Sequence, residues 1–183
     1  MFDELSDYLK IYKTDPSEYA AVPISLVAEY YGISHAAIVR RLKENKLKEI
    51  KVGKTRLVAV SSLIADGVKF DGQCEVVRAA LEQLATQGRD HVFYEEVMTP
   101  IGLSTTVPSD RKLIGKILGA ISSDTDEKYG FLLTVLVHRK TSGTTQPGPG
   151  FFDLAGSLDY DWDDDAKLVK KQTKKVLKHY LNP

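Results

Sequence analysis

The pattern of apolar and polar positions between residues 22 and 63 predicts two short helices that meet at a glycine turn, followed by a two-stranded hairpin. Four apolar side chains recur there at helical spacing: Leu26, Val27, Tyr30 and Tyr31. This spacing predicts a short amphipathic helix, in which the small Ala28 would allow a second helix to approach closely. Gly32 follows the pattern directly and is expected to end the helix.

A second helix is predicted from Ser34 to about residue 44. Ser34 is a suitable N-cap, and Ile38 and Leu42 lie one turn apart on the expected inner face. Asn45 tolerates the left-handed backbone conformation at which such a helix stops. The side chains expected to face outward are His35, Ala36, Val39, Arg40 and Lys43.

A β-hairpin is predicted after this helix. Residues 49–52 and 56–60 are typical strand segments, and they flank Gly53 and Lys54. Ser61 and Ser62 can cap one further helical turn at Leu63. The side chains expected near the hairpin tip are Lys51, Lys54, Thr55 and Arg56.

Across these forty residues the chain resembles the winged helix-turn-helix domains of the excisionase and MerR-like group. The residues that carry the resemblance are Ala28, Glu29, Gly32, Ile33, Ser34, Leu47, Val52, Gly53 and Leu63. Asn45 and Arg41 depart from the family pattern, which often has glycine and an apolar residue at these positions. The resemblance implies that the second helix enters the major groove of DNA and that the hairpin contacts the backbone or the minor groove.

A double-stranded DNA partner follows from this resemblance. Arg40 is the best candidate for a guanine edge, since its planar guanidinium matches two acceptors. The residues expected to contact DNA are Ser34, His35, Ala36, Val39, Arg40, Arg41, Lys43, Lys51, Lys54, Thr55 and Arg56.

The charge distribution supports this location although the chain as a whole has no net charge. Residues 22–59 contain eight bases and three acids, and residues 166–183 contain six lysines and no acid. The intervening residues 60–165 contain nine bases and seventeen acids. Positive charge is therefore concentrated in the winged segment and in the last eighteen residues.

Composition indicates an ordinary globular protein. Apolar residues make up 43% of the chain, which is enough for a buried core. No apolar run reaches the length of a membrane span, and the first residues lack the features of a signal peptide. We therefore expect a cytoplasmic protein, associated with the nucleoid when bound to DNA. The single Cys74 is expected to be a buried thiol.

The sequence predicts that the remaining segments are mainly helical. Residues 3–12 form an amphipathic pattern that predicts a helical arm, packed either on the winged module or on another copy of the chain. Residues 71 and 72 are a predicted hinge, followed by helices ending at Gly88 and Gly102 and by a helix over 111–121. Residues 131–138 predict a buried strand, residues 141–150 a loop, and residues 151–154 a further strand.

This order of elements predicts a second winged-helix-like fold. The segment faintly resembles the C-terminal domain of alkylguanine alkyltransferase-like proteins, and the residues concerned are Tyr94, Gly102, Arg111, Ile114 and Gly115. The nucleophilic Pro-Cys-His motif of the active enzymes is absent, so the resemblance implies no alkyl transfer. Residues 132–154 and 163–180 are similar to uncharacterised bacterial proteins, which implies no function.

The last segment combines acids with a basic helix. Four aspartates among residues 161–165 could cap the helix that follows or hold a hard cation, and capping is the preferred interpretation. The lysines could contact DNA as a second site or could be a solvated face, and both interpretations stay open. These lysines are Lys167, Lys170, Lys171, Lys174, Lys175 and Lys178.

No catalytic motif, metal-binding motif or cofactor motif is found in the sequence. The histidines and acids that could converge on a catalytic cluster are His91, Glu95, Glu96, His138 and Asp153, but capping, packing or exposure is the simpler expectation. We therefore expect a protein that is not an enzyme and needs no cofactor.

The predicted fold class is α+β and mainly α, with two winged-helix-like domains in tandem and a basic C-terminal helix. The predicted domains are an arm over 1–17, a winged helix-turn-helix over 18–68, a winged-helix-like domain over 72–156, and an acidic cap with a basic helix over 157–183. The expected function is sequence-specific DNA binding, as a bacterial or phage transcriptional regulator or a recombination accessory factor. A homodimer, or a protein partner held through residues 72–183, is expected as well. The alternative is a protein-interaction component of a mobile-element or anti-phage defence complex, with the winged module as a docking surface.

Overall fold

The structure, a computed structural model, describes residues 2, 4–141 and 144–181. It divides into two compact units, Met1–Phe70 and Asp71–Pro183. Both units combine several helices with a small sheet. The prediction of an α+β fold that is mainly helical is therefore confirmed.

The first unit contains a three-stranded antiparallel sheet in the order β1-β3-β2. The elements of this unit are α1 (Leu5–Thr14), α2 (Pro16–Tyr19), β1 (Ala21–Pro23), α3 (Ile24–Tyr31), α4 (His35–Lys43), β2 (Glu49–Val52) and β3 (Thr55–Ala59). The two predicted helices and the predicted hairpin between residues 22 and 60 are confirmed, with bounds that differ by one or two residues.

Local sequence signals set the bounds of α3 and α4. Gly32 adopts a left-handed conformation with φ of 61°, which ends α3. The side chain of Ser34 accepts a hydrogen bond from the Ala37 backbone amide at 3.2 Å and so caps α4. Asn45, just beyond α4, has a φ of 54°. All three roles were predicted from residue type and position.

The core of the first unit lies between α3, α4 and the sheet. Its buried members are Ile24, Val27, Ala28, Ile38, Leu42, Leu47 and Val58. Because α3 turns residues 24, 27 and 28 inward, Leu26 and Tyr30 project outward and are 55% and 81% exposed. Val39 was predicted to face outward, which is wrong: it is half-buried and packs against this core.

The N-terminal arm packs on its own module. The backbone amide of Phe2 donates to the carbonyl oxygen of Lys51 at 2.9 Å, and the amide of Gly53 donates to the carbonyl oxygen of Phe2 at 2.7 Å. The ring of Phe2 contacts Tyr8 and Tyr19 edge to face, with centroid distances of 5.5 and 5.8 Å. The predicted helix is confirmed over Leu5–Thr14; residue 3 lies outside the described residues.

The second unit begins within a long helix that also forms the end of the first. This helix, α5 (Val60–Thr86), includes residues 61–63, which were predicted to form one turn, and residues 71 and 72, which were predicted to be a hinge. Leu63 is helical as predicted, but the helix is far longer than one turn, and the prediction of a hinge is wrong. The elements that follow are β4 (Val92–Phe93), α6 (Tyr94–Met98) with a 3-10 turn (Thr99–Ile101), α7 (Pro108–Tyr129), a 3-10 turn (Leu133–Leu136), β5 (Val137–Thr141), β6 (Thr144–Pro147), α8 (Pro149–Ser157) and α9 (Asp165–Leu181).

The sheet of the second unit differs from that of the first. β4 pairs in parallel with β5, β5 pairs antiparallel with β6, and the strand order is β4-β5-β6. In the first unit the leading strand instead pairs antiparallel with the second strand of its hairpin. The second unit therefore does not repeat the sheet topology of the first.

Residues 131–138 are buried as predicted but are not a continuous strand. Their backbone amides bond to side chains of neighbouring helices: the amide of Leu132 donates to Gln172 Oε1 at 3.1 Å, and that of Leu133 donates to Thr125 Oγ1 at 3.2 Å. These bonds replace the pairing that a neighbouring strand would provide, so the segment forms a 3-10 turn and becomes extended only from Val137 onward.

Two further predictions in this unit are wrong, and a third, the helix over 111–121, is confirmed with bounds that are too narrow. The predicted loop 141–150 contains β6, with residues 142 and 143 outside the described part of the chain. The predicted strand 151–154 belongs to α8, whose first residue is Pro149, where a helix needs no backbone donor. The helix predicted over 111–121 extends from Pro108 to Tyr129, because its buried stripe continues through Ser122 and Thr125.

Candidate nucleic-acid interface

The outer face of α4 is polar and accessible. Ser34, His35 and Ala36 are exposed at its start, although the hydroxyl oxygen of Ser34 is engaged in capping. Arg40 and Lys43 are exposed one and two turns later, and the side chain of Arg40 is 73% exposed. Because Ile38 and Leu42 anchor the opposite face in the core, these side chains can reach a partner without any change in the fold.

Arg40 takes part in a small surface network. Its Nε lies 3.9 Å from Glu44 Oε1, and Lys46 Nζ lies 2.8 Å from Glu44 Oε2. Lys46, and to a smaller extent Arg40, hold the pKa of the Glu44 carboxyl below its ordinary value. Ion pairs this exposed contribute little to stability, so Arg40 can exchange Glu44 for another acceptor at small cost.

Arg41 lies in a different environment from Arg40. Its Nη1 is 3.8 Å from Asp66 Oδ2, and its guanidinium carbon is 4.8 Å from the centroid of the Tyr31 ring. The hydroxyl of Tyr31 donates to the same Asp66 oxygen, and burial together with this bond raises the pKa of Tyr31. The Arg41 side chain therefore contacts both α3 and α5. These contacts argue against its predicted place on the DNA-contacting face.

The hairpin tip contributes fewer accessible cations than predicted. Lys54 and Thr55 are exposed, and Lys51 is half-buried. Arg56 is also half-buried and forms an ion pair with Glu49 on the paired strand. Within the described residues, Lys54 and Lys51 form no ion pair, as is also true of Lys43 on α4.

The predicted second site is a lysine stripe on α9, in the second unit. Lys170, Lys171, Lys174 and Lys178 are exposed on the side opposite the buried Leu168, Gln172 and Val176. The remaining two have partners: Lys167 Nζ lies 2.9 Å from Asp163 Oδ2, and Lys175 Nζ donates to the Gly130 carbonyl oxygen at 2.7 Å.

One aspartate of the acidic segment, Asp164, caps α9. Asp164 Oδ1 accepts from the backbone amide of Lys167 at 3.1 Å, and Asp165 Oδ1 accepts from the Trp162 indole at 2.8 Å. No group of three or more histidine, cysteine or acidic side chains that could hold a metal ion occurs in the described part of the chain. The predicted capping of α9 is therefore confirmed for Asp164.

Of the residues considered for a catalytic cluster, the structure brings His91 and His138 together. Their rings stack with centroids 5.3 Å apart, and His91 Nδ1 lies 2.7 Å from Asp90 Oδ1. His138 is buried, and this burial holds its pKa below the ordinary value. Glu96 instead forms an ion pair with Arg89, in which Oε2 lies 3.5 Å from Nη2.

A group of aromatic rings around Tyr129 was not found from the sequence. Tyr129 ends α7, Phe131 follows it, and His179 and Tyr180 come from α9. Fifty residues separate the two halves of this group, and no local periodicity connects them. The lysines beside His179 are a local signal for a basic surface, but nothing in the sequence connects them with Tyr129.

The chain matches no protein-family model, no curated protein and no solved structure. Among the residues that the structure describes, no helix is both long enough and apolar enough to cross a membrane.

Proposed function

We propose that the chain is a sequence-specific double-stranded DNA-binding protein in which residues 18–68 form a winged helix-turn-helix module. The observation that carries this proposal is the exposed cationic face of α4, with Arg40 and Lys43, in the same unit as the exposed Lys54 at the hairpin tip. The order of helices and strands in this unit, and its β1-β3-β2 sheet, are those expected for such a module.

In this proposal the two basic elements have different roles. α4 enters the major groove, where Arg40 contacts a guanine edge and His35 and Ala36 lie near the bases. Lys43 and Lys54 contact phosphates, which position the module and provide affinity that is independent of sequence. Arg41 and Arg56 contribute less, since each is half-buried as well as ion-paired, whereas Arg40 is 73% exposed.

A single module of this size makes few base contacts. Useful specificity therefore requires a second copy of the chain or a partner protein, bound through residues 72–183. The process that fits these features is regulation of transcription or assistance to recombination, in the manner of an excisionase, with the protein located on the nucleoid. No catalytic step is included in the proposal.

A second candidate function is protein docking within a mobile-element or defence complex. Two apolar side chains on α3 favour it, since Leu26 and Tyr30 are 55% and 81% exposed. The acidic balance of residues 60–165 is also poorly suited to DNA. In this case the first unit would bind a protein through α3, and α4 would be a solvated face.

Selection of bound sequences from a random duplex pool by the full chain distinguishes the two functions. DNA binding predicts enrichment of a short motif, followed by affinity for that motif that falls steeply between low and physiological salt. The control is a duplex of equal length with the motif scrambled, which should bind at least about 10³-fold more weakly. Absence of enrichment, or binding unaffected by salt, would contradict the DNA-binding proposal and leave protein docking.

A further inference from the structure

An open cavity of about 360 Å³ lies in the second unit, between the end of α7 and the last turns of α9. Three of its lining residues are aromatic or heteroaromatic and two are basic. These residues are Tyr129, Phe131, His179, Lys175 and Lys178. We call this feature the aromatic cavity.

Its rings form an ordered group. Tyr129 and Phe131 are nearly parallel, with centroids 5.5 Å apart and planes inclined by 18°. The centroid of the His179 ring lies 4.6 Å from that of Tyr129 and 5.1 Å from that of Phe131. Phe131 is only 2% exposed and fixes the group to the core, whereas Tyr129 is 50% exposed and His179 is also exposed. The cavity therefore presents ring surface to solvent on a rigid base.

Cations line one side of the cavity and continue beyond it. Lys175 donates a hydrogen bond to the Gly130 carbonyl oxygen, and Lys178 also lines the cavity. Lys174 and Lys171 follow at spacings of four and three residues, so they lie on the same face of α9 as Lys178. Residues 166–183 contain no acid that would neutralise them.

This juxtaposition matches the chemistry of a nucleic-acid strand. Proteins that bind single strands combine aromatic rings, on which bases stack, with a basic track for the backbone. An ordinary duplex keeps the faces of its bases stacked inside, so at this site its phosphates would contact the lysines and the rings would stay unused. The cavity is large enough to admit a flat ring, and the lysines are placed to take the adjoining phosphates.

We propose that the aromatic cavity binds an unpaired base of single-stranded nucleic acid, with the adjoining phosphates along Lys178, Lys174 and Lys171. Tyr129 and His179 provide the stacking surface, and Lys178 contacts the phosphate nearest to the base. The site belongs to the second unit alone and does not rest on the role proposed for α4.

Fluorescence anisotropy with the full chain and a labelled thymidine oligonucleotide of about ten residues tests the proposal. Tyr129→Ala should weaken binding by about 5- to 100-fold, because a stacked base contributes on that scale. Tyr129→Phe is the matched control, since it keeps the ring and should bind as the wild type does. Circular dichroism of both variants checks that α7 and α9 are intact.

Two further measurements test the proposal if Tyr129→Ala does not fold. Lys174→Gln and Lys178→Gln, both at exposed positions, should each lower the slope of log affinity against log salt by about 0.7. Arg111→Ala, at an exposed position of α7 outside both proposed sites, should leave oligonucleotide binding unchanged. Titration of the preferred duplex with the same variants separates failure of this site from failure of the proposed duplex-binding function.

Several results would overturn the proposal. These are equal binding of the oligonucleotide by the wild type and by folded Tyr129→Ala, no binding at low salt, or full displacement by an equimolar blunt duplex. Binding of thymidine monophosphate as tight as that of the oligonucleotide would also overturn it, in favour of a small-ligand site.

Discussion

The hydroxyl of Tyr31 donates a 2.6 Å hydrogen bond to Asp66 Oδ2 and so joins the last residue of α3 to the start of α5. Tyr31→Phe removes this bond and leaves the ring in place. We expect the free energy of unfolding to fall by about 1 kcal/mol, the usual net value of such a bond. Urea unfolding followed by circular dichroism measures the change.

The neighbouring tyrosine provides the control for this prediction. Tyr30 is 81% exposed, and its ring contacts that of Tyr31 at a centroid distance of 5.2 Å. Tyr30→Phe should therefore leave stability within error of the wild type. An equal loss in both variants would show that the Tyr31–Asp66 bond does not stabilise the unit.

Arg40→Ala tests the proposed reading of DNA by α4. Loss of a bidentate contact with guanine should weaken binding to the preferred duplex by about 1 to 3 kcal/mol and should relax the base preference at one position. Gel-shift titration of the preferred duplex, and of duplexes altered at single positions, measures both effects.

Arg111→Ala is a matched substitution outside the module. Arg111 is exposed on α7, and its Nη1 donates to the Thr105 carbonyl oxygen at 3.4 Å. This variant should bind DNA as the wild type does. Equal affinities for wild type and Arg40→Ala would remove Arg40 from the proposed interface.

Asn45 holds the chain in a left-handed conformation, with φ of 54°, between α4 and β2. Asn45→Val places a β-branched side chain in this conformation and should destabilise the protein by about 1 to 2 kcal/mol. Asn45→Gly should be neutral or slightly stabilising, because glycine adopts positive φ readily. Thermal and urea unfolding of the two variants measure the difference in stability. Similar stability of Asn45→Val and Asn45→Gly would show that the positive φ of residue 45 causes no strain.

The buried His138 predicts a dependence of stability on pH. Burial, followed by the nearby His91, lowers the pKa of His138 in the folded chain, while Asp90 acts in the opposite direction. Below the ordinary histidine pKa of about 6.5, the unfolded chain binds a proton that the folded chain does not, so stability falls as pH decreases. Above that value the contribution of His138 to stability is fully present.

Urea unfolding between pH 7.5 and pH 5 of the wild type and of His138→Gln measures this effect, over a range set by the histidine pKa of about 6.5. As pH decreases, the free energy of unfolding of the wild type should fall more steeply than that of the variant. The difference in slope should be up to about 1.4 kcal/mol per pH unit. Parallel curves for the two proteins would contradict the assignment to His138.

Signals confined to a few neighbouring residues predicted the first unit well. The capping of α4 by Ser34 and the hairpin around Gly53 depend on local backbone preferences, and both are present in the structure. The exposure of Arg40 followed from the positions of Ile38 and Leu42 on the helix. The environment of Arg41 could not be predicted, because its partner Asp66 lies twenty-five residues away on a helix whose length was underestimated.

The second unit was harder to predict because its backbone depends on distant partners. Residues 131–138 are largely apolar on both faces, so no periodicity distinguishes a strand from a turn. The side chains that decide the matter, such as Gln172, come from another helix forty residues away. Gly72 was taken as a hinge, but a glycine within a helix costs only about 1 kcal/mol, which the buried Val77 and Leu81 on the same helix can offset.

The backbone bonds between Phe2 and the hairpin have a consequence for the solubility of the chain. β2 lies at the edge of its sheet, and Phe2 occupies the carbonyl of Lys51 and the amide of Gly53 there. A chain shortened to begin after Phe2 would leave these groups open as a template for pairing with the same edge of another molecule. We therefore expect Phe2 to limit edge-to-edge association of the hairpin.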